Sequence, residues 1–302
     1  MQQTQTPTGL QGQTASPYRS YAAIVLRSFM QNKLAVIGFI LLILVILFSF
    51  VGPIIYGVSP YHTSILKALQ PPSAKHWLGT DDLGRDELSR MMYGGQSSLI
   101  VGFASAVVSM IIGVIYGAVS GYIGGFLDNI LMRVIDILLA IPVLLLLILL
   151  VSMFRPSESL LIIVLAATGW FGTARLIRGE ALSLRNREYV DAVKALGGSD
   201  GRIVFRHILP NAIGAITVTA AFQIGGTILT LAGLSFLGLG VPPPTPNWGS
   251  MLSGAATNYI YQNYWWLIYP PGIAILVTTI AFFLIGNALR DAFDMRLRTS
   301  GN

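Results

Sequence analysis

Apolar residues run through this chain in long blocks, not in the alternation of a half-buried strand or the one-faced stripe of a soluble helix. Six blocks, at about 34–52, 98–120, 134–153, 159–177, 212–236 and 267–289, are each long enough for a helix to cross roughly 30 Å of hydrocarbon. Lipid offers the backbone no hydrogen-bond partner, so each block must satisfy its own amides. The pattern therefore predicts an all-α integral membrane protein with six transmembrane helices. Fifteen residues of 34–51 are Leu, Ile, Val or Phe. At about 0.3–0.6 kcal/mol each they favour insertion by at most about 5–9 kcal/mol. That apolar core is too long for a signal peptide, and the "GPIIYGVSP" that follows has no small-residue cleavage site, so 34–52 is predicted to stay as an uncleaved first helix.

The blocks divide the chain into an N-terminal tail 1–33, the first helix 34–52, a polar outer segment 53–97, a transmembrane core 98–289 containing a cytoplasmic loop 178–211, and a C-terminal tail 290–302. Residues 1–18 carry no charge and are rich in Gln, Thr and Gly, the composition of a disordered tail.

Composition sharpens this picture. The 302 residues are 54% hydrophobic and 11% charged, against roughly 25% charged in soluble domains. The formal net charge of +6 records topology and not nucleic-acid binding: fourteen basic residues fall on one side of the predicted spans and five on the other, which makes both termini and the 178–211 loop cytoplasmic. Tyr259, Tyr261, Tyr264, Trp265, Trp266 and Tyr269 gather where the sixth span meets the outer interface and are expected to anchor it there. In the outer segment Asp81, Asp82, Asp86 and Glu87 alternate with Arg85 and Arg90, a pattern expected to form solvated ion pairs.

Several chemistries lack their residues. With no cysteine there is no disulfide, thiolate metal site or cysteine nucleophile. The three histidines form no HExxH, and Ser97 has no histidine within a span to act as its base, so catalysis is not expected. None of the four lysines follows glycine, so the chain has no phosphate-binding loop of its own. No titratable residue sits near the centre of a span, which argues against an internal ion relay. A subunit of a larger transport machine and a channel or facilitator working alone both remain open. Ser105, Ser109, Gly113, Gly117 and Gly121 recur every four residues along the second span, a small-residue ridge expected to pack within the chain.

The segment "EYVDAVKALGGSDGRIVFRHILPN", 188–211, reads as helix, turn, helix: Gly197 and Gly198 suit a left-handed helix end, and Ser199 or Asp200 can cap the next piece. Tyr189, Val193 and Leu196 share one apolar face that needs a cover, while Glu188, Asp191 and Lys194 point elsewhere. Asp191, Ala192 and Val193, then Gly197, then Leu209 and Pro210 carry the spacing E-A-A, three residues, G, nine residues, I, one residue, L-P. In this spacing the segment resembles the cytoplasmic loop of bacterial ABC importer permeases. Asp191, Val193 and His207 depart from that pattern. The ending with Arg206, His207, Leu209, Pro210 and Asn211 is similar to the oligopeptide, dipeptide and nickel branch. "HWLGTDDLGRDELSRMMYGGQSSL" at 76–99, "LSFLGLGVPPPTPNWGSML" at 234–252 and "ALRDAFDMRLR" at 288–298 resemble its C-type subunit.

The resemblance implies a type I ABC importer permease fold in the bacterial plasma membrane. It implies a heterodimer with a second permease subunit, two ABC ATPase subunits that hold ATP and Mg, and an extracytoplasmic binding protein that delivers peptides, nickel or another small solute. The chain itself would carry no cofactor. The resemblance assigns ATPase coupling to Tyr189, Asp191, Ala192, Val193, Leu196, Gly197, Arg206, His207, Leu209 and Pro210.

Overall fold

The computed structural model describes residues 29–258 and 264–299, and its described residues are helical apart from loops and one isolated bridge, Thr80 to Asp86. The expectations for residues 1–18, Tyr259 and Tyr261 lie outside the described residues. Five helices are long and apolar enough to cross a membrane: α1 Lys33–Tyr56, α2 Glu87–Ile123, α5 Glu158–Leu184, α8 Ile213–Phe236 and the start of α10, Trp265–Phe293. The third predicted span, 134–153, falls instead on a bent pair, α3 Gly125–Ala140 and α4 Val143–Ser152, which meet at 82°. Proline supplies the reason: Pro142 has no amide to donate, and Ile141 before it is extended (φ −85°, ψ 126°).

Three of the spanning helices start on a side-chain cap. Asn32 accepts from the Leu34 and Ala35 amides to start α1, Asp86 from Ser89 to start α2, and Ser157 from Leu160 to start α5. The second helix starts at Glu87, well before the predicted block, because its first turns are polar and small yet continue the same cylinder.

The small-residue ridge packs inside the chain, as expected. A Cβ on Gly113, Gly117 or Gly121 would collide with the Trp170, Ala174 or Arg178 carbonyl of α5. One core cluster joins α2, α4, α5 and α8 through Val101, Leu147, Leu161, Leu165 and Leu231. A second joins α2, α8, α9 (Trp248–Asn258) and α10 around Trp248, whose indole nitrogen donates to the Met91 carbonyl at 2.9 Å.

The outer segment departs from its sequence reading. Asp81, Asp86, Glu87 and Arg90 are buried, whereas the expectation was solvated pairs. Asp81 accepts from the Leu83 and Arg85 amides and from Arg85 Nε at 2.7 Å, and forms an ion pair with Arg90, whose Nε lies 3.2 Å away. Asp86 also accepts from the Tyr56 hydroxyl at 3.0 Å and lies 2.8 Å from His76 Nδ1, tying α1, the outer loop and α2 together. The physical reason is that this stretch folds back on itself: backbone bonds join Leu69 to Asp81, Thr80 to Gln70 and Glu87 to Gly79, and the carboxylates enclosed there serve the amides and guanidinium groups left over. Of the aromatic cluster, Trp265 and Tyr269 are exposed. Trp266 is instead buried and donates to the Thr80 carbonyl at 3.4 Å.

Candidate functional site

The loop after α5 folds as two short helical pieces, α6 Glu188–Ala195 and α7, which begins at Asp200–Ile203 and continues through a π-turn Val204–Ile208 and a last turn Leu209–Asn211. Gly197 is left-handed at φ +78°, its amide donating to the Lys194 carbonyl, while the Gly198 amide donates to Val193. These two bonds form a Schellman end, so the Gly-Gly break does what its sequence suggests. Gly198 matters for a different reason: a Cβ there would meet Val193 Cγ1 at 2.5 Å and the Val193 carbonyl oxygen at 2.9 Å.

The loop is held from behind. Val190, Ile203 and Ile208 are fully buried against Ala181 of α5, with Tyr122, Leu184 and Val193 packed around them. Val204 and Leu209 join a second cluster with Ala118 and Ile177. Ser199 occupies the cap position of α7 without a side-chain cap bond; Asp200 instead accepts from the Tyr122 hydroxyl at 2.6 Å. The helix ends that receive the loop are fixed to one another: Arg178 grips Asp128 through Nε and Nη2, both at 2.6 Å, and Asp128 also accepts from Ser120.

The expected apolar face is therefore split. Val193 is half-buried toward the inner cluster, while Tyr189 (38% exposed) and Leu196 (87%) point outward. Ala192, Asp191 and Gly197 are exposed beside them. Phe205, 57% exposed on α7, adds an apolar side chain to the loop's outer surface. Arg206 and Pro210 are exposed, His207 and Leu209 half-buried. The sequence reading did not single out Val190 as the inner anchor, although its spacing to Val193 held the signal, nor Phe205 or Gly198.

Both hinges of the loop line one cavity. Arg187 before α6, and Asn211 and Ala212 after α7, face a space of about 680 Å³ bounded also by Glu180, Phe222 and Arg290.

Fold and loop together define a polytopic helical membrane protein with a pinned helical loop that displays apolar side chains outside the bundle. Residues 95–299 match the family described as binding-protein-dependent transport system inner membrane component, and residues 20–72 match the N-terminal TM domain of oligopeptide transport permease C. The chain belongs to this family, the permeases of bacterial ABC importers, and to its C-type branch. It is 43% identical over 270 residues to the oligopeptide transport system permease protein OppC of Bacillus subtilis (strain 168), covering 89% of this chain and 88% of that one. The dipeptide transport system permease protein DppC of the same organism is 40% identical over 282 residues, 93% of this chain and 88% of the relative. A putative peptide transport system permease protein of Brucella suis biovar 1 (strain 1330) is 40% identical over 283 residues, 94% and 95% of the two chains.

Proposed function

We propose that this chain forms half of the translocation path of a binding-protein-dependent importer of di- or oligopeptides, and that the 188–211 loop couples it to a separate ATPase. The observation that carries the coupling is the loop's construction: Val190, Ile203 and Ile208 bury its back, while Tyr189, Leu196 and Phe205 are left without a cover in the single chain. Apolar side chains presented on a fixed element suit a receiving cleft better than water. Peptide cargo is supported by the relatives, which are named for oligopeptide and dipeptide transport. In this reading the loop and both termini are cytoplasmic. The partner is a second permease, two ATPases supply ATP and Mg, and a binding protein meets the 53–97 segment from outside.

The test is purification from native membranes followed by reconstitution. Stoichiometric ATPase chains and a second permease should copurify, and the complex with its binding protein should import peptides only when ATP is present inside. A lone homo-oligomer that conducts solute without ATP, or uptake of nickel in place of peptide, overturns the reading. Sidedness follows from the cysteine-free background: exposed Lys75→Cys should react with an impermeant thiol reagent in intact cells, and Ser199→Cys only after permeabilisation.

A further inference from the structure

A groove of about 380 Å³ runs between α4, α5 and α8, and no charged side chain lines it among the described residues. It adjoins the loop-side cavity, since Leu176, Thr219 and Phe222 line both. Its polar groups are Thr168, Thr173, Thr219, Gln223, Thr227 and Thr230, which sit near the middles of α5 and α8. Polar side chains that face a cavity at that depth mark a solute route more readily than a packing surface.

The hydrogen bonds of these groups are uneven. The hydroxyls of Thr219, Thr227 and Thr230 donate to the carbonyls of Ala215 (2.7 Å), Gln223 (2.8 Å) and Gly226 (2.8 Å). Thr168 donates to Val164 at 3.1 Å, and Thr173 points its hydroxyl at Met110 sulfur, 3.7 Å away. Gln223 Nε2 donates to the Gly169 carbonyl at 3.1 Å, which fixes which end of the amide is nitrogen. A hydroxyl has one proton and two lone pairs. With the protons of Thr168, Thr219, Thr227 and Thr230 committed to helix carbonyls and that of Thr173 turned to sulfur, what these threonines offer the groove is oxygen lone pairs. One amide proton of Gln223 is the remaining side-chain donor.

We infer that the groove is an acceptor-lined stretch of the path that passes solutes rich in N–H donors and positive charge more readily than solutes carrying extra carboxylates. A peptide backbone or a lysine ammonium finds oxygens along the wall. A glutamate side chain finds almost no proton, and a threonine that turned to serve it would give up a bond already made. The inference rests on the chain being a peptide permease and adds a charge preference within that class.

The experiment uses the complete importer in proteoliposomes, with Ala-Lys-Ala and Ala-Glu-Ala each saturating the binding protein. Thr219→Val and Thr230→Val remove acceptors with little change of shape, and Thr→Ser at the same positions restores them. Binding protein, second permease and ATPases are held constant, so a change in the Lys-to-Glu uptake ratio belongs to this wall. The ratio should fall roughly twofold to tenfold for each acceptor removed and recover in the serine variants. Thr230→Lys, which adds donors at a half-buried position, should lower it independently. An unchanged ratio, or an equal loss for both peptides, overturns the inference while leaving the importer reading intact. Wild-type complex that imports neither peptide with ATP overturns the importer reading itself.

Discussion

The outer stretch 76–90 and the loop 188–211 look alike in sequence, both charged, glycine-containing interruptions between apolar blocks, yet they treat their charges in opposite ways. In the loop, Glu188, Asp191, Arg202 and Arg206 are exposed, and the buried side is aliphatic. In the outer stretch, Asp81, Asp86, Glu87 and Arg90 are buried and Leu83 is exposed. The cause lies in how each backbone is satisfied. The loop closes its own hydrogen bonds through helical turns and the Gly197–Gly198 end, so its charges are free to face water. In the outer stretch, backbone bonds such as Asp81 to Arg85 and Glu87 to Gly79 leave the Leu83 and Arg85 amides over, and the Asp81 carboxylate, with several lone pairs, accepts both. Charge in a membrane-protein loop can thus be framework in one place and surface in another.

The largest expected effect comes from breaking the outer framework. Asp81→Ala would strip partners from two backbone amides and two guanidinium groups, one of them on buried Arg90. Removing one partner of a buried pair typically costs about 3–5 kcal/mol. The purified protein in detergent should lose its thermal transition or unfold far earlier, whereas exposed Asp82→Ala should change little. Equal stability of the two variants would return the outer charges to the status of solvated pairs.

That contrast also shows what the sequence could and could not disclose. Five of the six spans and the loop's turn were legible because apolar length and a Gly-Gly pair act locally. The bend at Pro142 had a local signal too, but the apolar length of 134–153, broken before it only by Asp136, outweighed it. The burial of Trp266 was not legible, since it depends on a meeting with Thr80, far away in the chain, and that of Asp81 was not, since alternating charges do not disclose that the loop closes around one carboxylate. Within the loop, helical spacing alone grouped Tyr189, Val193 and Leu196, and only the position of α5 and Tyr122 decides that Val193 turns inward.

Next in size is the loop's outer face. Leu196 and Phe205 touch little in the single chain, so Leu196→Ala with Phe205→Ala should leave the thermal stability of the isolated permease unchanged. If each side chain is buried in an ATPase cleft, roughly 1.5–3 kcal/mol of association is lost per residue. ATPase recovered per permease should therefore drop sharply. A double variant that keeps its ATPases would show that the exposed face serves something else.

A smaller effect is expected at the turn itself. Gly197 has no neighbour within 4 Å of a Cβ, so the penalty there is conformational and not a collision. A β-branched residue at φ +78° costs about 1–2 kcal/mol, while asparagine tolerates the left-handed region. Gly197→Val should weaken ATPase recovery and uptake, and Gly197→Asn should largely preserve both. Gly198→Ala should behave more like the valine variant, because its Cβ would press on Val193. Equal behaviour of Gly197→Val and Gly197→Asn would remove the left-handed turn from the coupling argument.

The smallest effect is expected at Asp191, and it probes the comparison most finely. Its side chain is 67% exposed, and its ion pair with Lys194 at 3.3 Å stays within one helix, so the pair contributes about 0–1 kcal/mol to the fold. Asp191→Ala should therefore leave the permease folded and still able to bind its ATPases, in contrast to Asp81→Ala. If Asp191 meets a basic group in the receiving cleft, its loss lowers uptake per ATP hydrolysed more than it lowers ATPase recovery, and added salt mimics the variant in the wild-type complex. Measuring recovery, hydrolysis and uptake on the same preparation separates these. A destabilised permease would mean that the loop, like the outer stretch, uses its charges as framework, and the distinction between the two regions would collapse.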